Sequence, residues 1–159
     1  MGVRERIIDI SRGDGLRHFW RLYAMQRRAR LRPVRDLLTF LMCRSAHRHG
    51  GYIGPGAVIE GIPSLPHGLH GVFISRYAVI GKGCRIYQNV TIGEVDGRAP
   101  SIGRGCLIGA GAVLIGGIRV GDGARIGAGA AVCTDIPAGG TAVSQPARII
   151  VRRDEDEEL

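Results

Sequence analysis

Aliphatic residues recur every six positions from residue 53 to residue 132, and this period restricts the possible fold more than any other feature of the chain. The thirteen positions are Ile53, Ile59, Leu65, Ile74, Ile80, Ile86, Ile92, Ile102, Ile108, Leu114, Val120, Ile126 and Val132. Glycine usually follows them. The period is typical of a parallel β-helix of hexapeptide repeats, in which three hexads close one coil of a triangular prism and successive coils stack about 4.8 Å apart.

Two interruptions break the period. Three extra residues lie between Leu65 and Ile74, and four lie between Ile92 and Ile102. The second interruption, residues 93–100, is predicted to be a surface loop. When the extra residues are left out of the count, Leu65, Ile86, Ile108 and Ile126 share one face of the prism. The residues two places after these are predicted to form one column along the prism, namely His67, Gln88, Ala110 and Ala128.

The first 50 residues differ from the rest in charge and in glycine content. They hold 12 Arg against four acids, whereas residues 51–159 hold ten basic and ten acidic groups, so the net charge of +8 lies in the first part. Of the 26 glycines, 22 lie in residues 51–140. We predict a mainly β protein with three parts: a basic helical segment over 1–50, a β-helix over 51–140, and a C-terminal extension with an acidic tail over 141–159.

Two short helices are predicted in the N-terminal segment. The first has Leu16, Phe19, Trp20 and Tyr23 at helical spacing. The second begins at Pro33, ends at Gly50, and has an apolar face of Val34, Leu37, Leu38, Leu41 and Met42. We expect these apolar faces to pack on one end of the β-helix or on a neighbouring chain, with the arginines facing water.

Neither a membrane span nor a nucleic-acid platform is predicted. No apolar run approaches the roughly 18 residues that a span needs, and no interleaving of aromatic and basic residues marks a platform for nucleic acid. The chain is predicted to be cytoplasmic, a reducing compartment that keeps cysteines as thiols.

No metal site is predicted. The four cysteines lack CxxC spacing. Cys84 and Cys106 both stand four places after an aliphatic position and lie one coil apart, so we expect them to stack as buried thiols. A zinc enzyme of this fold would need three histidines, and no His follows His70.

One stretch of the chain resembles a known family. LPHGLHGVFIS, followed by IGKGCRIYQNVTIG, two copies of IGAGA and PARII, resembles the serine acetyltransferase branch of the left-handed β-helix acyltransferases over about residues 50–150. The resemblance implies a left-handed coil, acetyl-coenzyme A as acyl donor, and a homotrimer or pair of trimers with sites between neighbouring prisms. It also implies that His67 is the general base and that the main chain of Ala110 and Ala128 lines the coenzyme A groove.

Further candidate residues lie around this histidine. Glu60, on the preceding hexad, and Tyr52, at the position where the family has an Asp that orients the base, are candidate orienters of His67. The candidate substrate contacts are His70, Gln88 and Arg98. The candidate cofactor contacts are Gly93, whose N–H could stabilise an oxyanion, Gly109, Ala110, Gly127, Ala128 and Arg148.

The chain departs from the family it resembles at three places. Tyr52 stands where the family has an Asp that orients the base, Pro66 where it has an Asp before the base, and Ala99 where a His follows the Arg matched by Arg98. The HGLHG form is closer to relatives that acetylate sugars or other small hydroxyl compounds.

We therefore expect an acetyl-coenzyme A dependent O-acetyltransferase that acts on a small-molecule or sugar hydroxyl by direct transfer, without a covalent enzyme intermediate. An L-serine O-acetyltransferase is the alternative. A non-catalytic trimeric β-helix scaffold is the alternative from another class of protein.

Overall fold

The computed structural model describes residues 16–145. Two helices come first, α1 (Arg17–Arg28) and α2 (Arg32–Arg48). The strands that follow are β1 (Tyr52–Ile53), β2 (Val58–Ile59), β3 (Phe73–Ile74), β4 (Val79–Ile80), β5 (Arg85–Ile86), β6 (Thr91–Gly93), β7 (Ser101–Ile102), β8 (Leu107–Ile108), β9 (Val113–Ile115), β10 (Arg119–Val120), β11 (Arg125–Ile126), β12 (Ala131–Val132) and β13 (Thr141–Ala142).

These strands form three parallel sheets that the chain visits in turn. Sheet A has the order β1-β3-β6-β9-β12, sheet B has β2-β4-β7-β10, and sheet C has β5-β8-β11-β13. In sheet C, Ile86 pairs with Ile108 and Ile108 with Ile126, while Ser64 forms an isolated bridge to Arg85. The predicted parallel β-helix and the predicted face through Leu65, Ile86, Ile108 and Ile126 are therefore confirmed.

The aliphatic positions supply the core of the β-helix. Twelve of the thirteen fall inside the named strands, and Leu65 is the exception. Eleven are buried, while Ile59 and Leu65 are partly exposed. Each coil covers the next, so a two-residue strand can keep its inward side chain dry although it could not do so alone.

Three corners join the sheets, and they position the candidate site. The C–A corner contains residues 87–89, 109–111 and 127–129, which connect sheet C to sheet A in successive coils. The A–B corner follows the strands of sheet A, and the B–C corner follows those of sheet B. Along the C–A corner, the Gly111 N–H donates to the Gln88 carbonyl at 3.0 Å and the Gly129 N–H donates to the Ala110 carbonyl at 2.8 Å.

The helix α1 is attached to the β-helix as predicted. Its residues Phe19, Trp20 and Tyr23 are buried and form a cluster of aromatic rings. The Tyr23 hydroxyl donates to the Ala57 carbonyl at 2.8 Å and accepts from the Ile59 N–H at 3.0 Å. One hydroxyl thus joins the helix to two main-chain groups of the first coil.

The helix α2 buries less of its apolar face than we predict. Leu38 and Met42 are buried, but Val34, Leu37 and Leu41 are 45%, 59% and 40% exposed. The physical reason is that α2 packs against α1 and the first coil with one side only, which includes Ala46. Neither of the two described helices is long and apolar enough to cross a membrane.

The two predicted buried thiols stack in neighbouring coils. Cys84 and Cys106 are 0% and 1% exposed, and their Sγ atoms donate to the carbonyls of Gly103 at 3.1 Å and Gly121 at 3.2 Å. Burial raises the pKa of Cys84 to about 11. These thiols therefore behave as small apolar groups of the core, as expected.

The strands continue beyond the predicted end of the β-helix at residue 140. Thr141 pairs with Arg125, and Ala142 stacks on Ile126, because Ala142 is a small apolar residue that fits the inward position of sheet C. The predicted acidic tail and Arg148 lie outside the described residues.

Candidate active site

The first interruption forms a bulge at the C–A corner. The chain leaves the ladder of stacked coils after Leu65 and rejoins it at Leu69, which is 0% exposed. The Asn89 N–H then donates to the His70 carbonyl at 2.9 Å, as the Gly111 N–H does to the Gln88 carbonyl one coil later. His70 therefore occupies the column position below Gln88.

The prediction that His67 stands in this column is wrong. The extra residues are Pro66, His67 and Gly68, which precede the return to the ladder, whereas our count placed the extra residues after His67. The observed column contains His70, Gln88, Ala110 and Ala128. His67 lies beside it, in the bulge.

The His67 side chain is exposed and lies near the aromatic ring of the next coil. The centroids of the His67 and Tyr87 rings are 6.0 Å apart, and the rings are tilted by 45°. Neither of the predicted orienters contacts the imidazole by a hydrogen bond in the described part of the chain. Glu60 lies after β2 at the B–C corner, and Tyr52 lies in β1, paired with Phe73.

The two histidines of the bulge are joined by a hydrogen bond. His70 Nδ1 lies 2.7 Å from the main-chain carbonyl oxygen of His67. A carbonyl oxygen only accepts, so His70 Nδ1 carries the proton and donates it, which leaves Nε2 as the acceptor of the neutral ring. The structure thus brings His67, the predicted base, together with His70, the predicted substrate contact.

Gln88 contributes a buried acceptor to the same corner. Its side-chain oxygen Oε1 is buried and makes no hydrogen bond to any described residue. A buried acceptor without a donor costs about 1–3 kcal/mol. This position is therefore suited to a ligand that brings an N–H or O–H group.

Glycine and alanine line the upper part of the column, at 109–110 and 127–128, and we call this strip of main chain the groove. Ala110 is half-buried and Ala128 exposed, and neither of their N–H groups donates to another residue within 16–145. A Cβ at Gly109 would lie 2.6 Å from the Ala128 nitrogen, so only glycine allows the coils to approach this closely. The Ser144 hydroxyl donates to the Ala128 carbonyl at 3.1 Å and closes the upper end.

The second interruption lies at a different corner. Val95 and Arg98 exchange main-chain hydrogen bonds of 2.9 and 3.0 Å around Asp96 and Gly97, which have φ values of +51° and +72° and form a tight hairpin turn. This hairpin follows β6, so it projects from the A–B corner.

Two predicted site residues, Gly93 and Arg98, are therefore separated from His67 within one chain. The aliphatic part of Arg98 packs over Gly117 of the next coil, where an added Cβ would lie 3.2 Å from the Arg98 Cβ. Glu94 accepts a hydrogen bond from the Ser75 hydroxyl, which fixes the base of the loop on the preceding coil.

Other surface hollows lie away from His67 and His70. One is lined by Ser101, Arg119 and Pro137 beside sheet B, and another by His18, Arg44 and His49 on the helices. No group of three His, Cys, Asp or Glu side chains that could hold a metal ion occurs among residues 16–145. The chemistry available at the C–A corner is that of two imidazoles beside a groove.

The sequence interpretation missed three residues of this corner. Tyr87 faces the His67 ring, Asn89 receives the bulge at φ +58°, and Ser144 closes the groove. Tyr87 and Asn89 flank Gln88 in the coil stacked on the bulge. The six-residue period that places Gln88 at this corner could therefore have predicted both of them as well.

Comparisons with known proteins agree with this fold. Residues 99–134 match the family model described as bacterial transferase hexapeptide (six repeats). Probable serine acetyltransferase 5 of Oryza sativa subsp. japonica is 45% identical over 136 residues, which are 83% of this chain and 38% of that protein.

Solved structures give the same answer. The soybean serine acetyltransferase apoenzyme is 38% identical with a TM-score of 0.68, and the match covers 81% of this chain and 53% of that chain. Serine acetyltransferase from Brucella abortus strain S19 is 32% identical with a TM-score of 0.71, covering 84% and 55%. The chain thus spans about half the length of these solved relatives. In repeat pattern, register and fold the chain is similar to the serine acetyltransferase-like branch of the left-handed β-helix, hexapeptide-repeat acyltransferases.

Proposed function

We propose that this protein transfers an acetyl group from acetyl-coenzyme A to the hydroxyl of L-serine. The relatives described above are named serine acetyltransferases, and one soybean structure similar to this chain contains serine. This favours the serine alternative over the sugar-type acceptor that we expected from the HGLHG form. The observation that carries the proposal is a pair of imidazoles placed at one end of a main-chain groove.

The groove suits the extended arm of coenzyme A. The free N–H groups of Ala110 and Ala128 can donate to its amide carbonyls, and the unpartnered Gln88 oxygen can accept from one of its amide N–H groups. The absence of side chains at Gly109 and Gly127 lets the following coil stack closely beside them, which keeps the coils that carry these N–H groups in register. Arg148 stays a predicted contact for the phosphates.

We propose His67 as the general base. Its neutral imidazole takes the proton from the serine hydroxyl while that oxygen attacks the thioester carbonyl. The tetrahedral intermediate then collapses, the carbon–sulfur bond breaks, and the imidazolium returns its proton to the leaving sulfur. The products are O-acetylserine and the free thiol of coenzyme A, and no acyl group is bound to the protein.

A homotrimer would complete the site from a second chain. In one chain the His67 corner is separate from the A–B corner, which holds Gly93 and Arg98. When prisms associate side by side, the corner of one chain approaches the next chain. We therefore propose that Arg98, as a contact for the serine carboxylate, and the Gly93 N–H act on the His67 of a neighbour.

The release of free thiol from acetyl-coenzyme A tests the proposal. The full chain is incubated with L-serine, and in parallel with hydroxylated sugars, D-serine and L-alanine. We expect release with L-serine that exceeds the release with each sugar at least tenfold, and only background release with L-alanine, which lacks the hydroxyl. Faster release with a sugar would contradict serine as the acceptor, and no release with any hydroxyl compound would contradict acetyl transfer.

A further inference from the structure

We propose that His70 is a positioning residue that holds His67, through the hydrogen bond from its Nδ1–H to the His67 carbonyl. The inference rests on His67 being the base of the proposed function. It assigns to His70 a role other than the substrate contact expected from the sequence.

Such a restraint matters in the bulge because Gly68 has more main-chain conformations open to it than a residue with a side chain. Pro66 fixes the main chain before His67, since its ring holds φ near −65°. Gly68 follows His67 at φ +67°, a conformation open to glycine at low cost, and glycine is the most mobile residue in a loop. The hydrogen bond of 2.7 Å between His70 and the His67 carbonyl spans this glycine.

His70 is itself firmly placed. Its carbonyl accepts from the Asn89 N–H at 2.9 Å, and the next residue, Gly71, donates to the Gly50 carbonyl at 2.8 Å. The His70 ring lies between two glycines: an added Cβ at Gly68 would be 3.4 Å from Nδ1, and one at Gly50 would be 3.9 Å from Cδ2. The exposed ring thus has a residue without a side chain on each side, and an added Cβ there would lie at ordinary van der Waals distance.

The consequence is that the main chain to which the His67 ring is attached is held in one orientation. The carbonyl group and the Cβ are attached to the same Cα, so holding the carbonyl direction limits the directions open to the imidazole. Tyr87, whose ring centroid is 6.0 Å away, borders the ring on the side of the next coil. Glu60 and Tyr52, the two predicted orienters, make no hydrogen bond to His67 within the described residues, so the restraint acts through the main chain.

The choice of substitutions separates positioning from proton transfer. An Asn side chain places its amide nitrogen near the position of Nδ1, so His70→Asn keeps the donor but cannot titrate. His70→Gln places an amide near Nε2 and loses the donor, and His70→Ala loses both. His47→Ala is the matched control, because His47 is an exposed histidine of α2.

We expect His70→Asn to keep kcat within about threefold of the unmodified protein, with the same acid limb in the pH profile of kcat/KM. His70→Gln and His70→Ala should lower kcat about 10- to 100-fold, the loss that a misplaced reacting group produces, with smaller changes in KM. If His70→Asn is as slow as His70→Ala, His70 itself carries the proton and the inference fails. It also fails if His70→Ala retains full kcat.

A second readout does not depend on turnover. Nitrogen-15 NMR of the two imidazoles at neutral pH should show His70 with its proton on Nδ1, both in the unmodified protein and in His67→Ala, which keeps the carbonyl. The His67 ring signals should broaden or shift in His70→Ala but not in His70→Asn. A proton on Nε2 of His70 would overturn the inference even if acetyl transfer is confirmed, whereas absent turnover with the expected NMR result would overturn only the proposed function.

Discussion

The helical segment and the β-helix differ in how much of their apolar side chains is exposed. In the β-helix, Ile86, Ile108 and Ile126 are 0% exposed, because each coil is covered by the next. In α2, Leu37 and Phe40 are 59% and 61% exposed, because this helix has a neighbour on one side only. The described helical segment, residues 16–50, also carries nine Arg and a single acid.

This difference indicates that the two regions have different structural roles. The stacked coils supply their own core, and they hold the corner where the two imidazoles lie. The helices depend on the β-helix for their attachment, which runs through the α1 aromatic cluster and the Tyr23 hydroxyl. Substitutions in the two regions should therefore have different effects on kcat and on the free energy of unfolding.

The largest expected effect separates the histidines of the two regions. His67→Ala should lower kcat for acetyl transfer by about two to four orders of magnitude, because the general base is removed. Steady-state measurement of thiol release checks this. His47→Ala in α2 should leave kcat unchanged. A similar loss of kcat in both variants would show that acetyl transfer does not take place at the C–A corner.

The next effect concerns the core of the β-helix. Ile108→Ala should lower the free energy of unfolding by about 2–5 kcal/mol, because it leaves a cavity between two closely stacked coils. Denaturant unfolding followed by circular dichroism measures this loss. A change below about 1 kcal/mol would mean that the coils can collapse onto the gap and that the core is less rigid than its burial indicates.

The attachment of the helices should contribute less to the free energy of unfolding than the core of the β-helix does. Tyr23→Phe removes the hydroxyl that joins α1 to Ala57 and Ile59, and it leaves the Ala57 carbonyl and the partly buried Ile59 N–H without that partner. We expect a loss of about 1–3 kcal/mol. Hydrogen exchange should show α1 opening more often while the amides of β8 and β11 keep their protection, and equal deprotection of both would contradict an independent β-helix.

The smallest effect is expected on the open side of α2. Leu37→Ser should change the free energy of unfolding of the monomer by no more than about 0.5 kcal/mol, since the side chain is largely exposed. The same unfolding experiment at low protein concentration measures it. A loss above 1 kcal/mol that grows with protein concentration would show that another copy of the chain covers this face.

The sequence predicted the β-helix well because its signal is repeated in every hexad. The prediction rests on thirteen aliphatic positions, so one exception does not change it. Leu65 is the only one of the thirteen that lies outside a named strand. The face of α2 was predicted less well, because helical periodicity reports which residues share a side, whereas burial depends on what that side meets.

The site was predicted in part for a related reason. The count by coils located the corner and brought Gln88, Ala110 and Ala128 into one column. It could not decide which residues of the bulge leave the ladder, since that choice depends on Leu69 entering the core and on Asn89 bonding to His70. The roles of Glu60, Gly93 and Arg98 depend on corners that a single chain keeps apart.

The close stacking at glycine has a consequence for how such a protein can change in length. An added Cβ at Gly81 or Gly109 would lie 2.6 Å from main-chain atoms of the following coil, so the backbone itself sets the spacing. Duplication of one whole turn would lengthen the prism by about 4.8 Å and keep every corner aligned. An insertion that is not a whole number of turns must be expelled as a loop, and this chain carries its two insertions in that form.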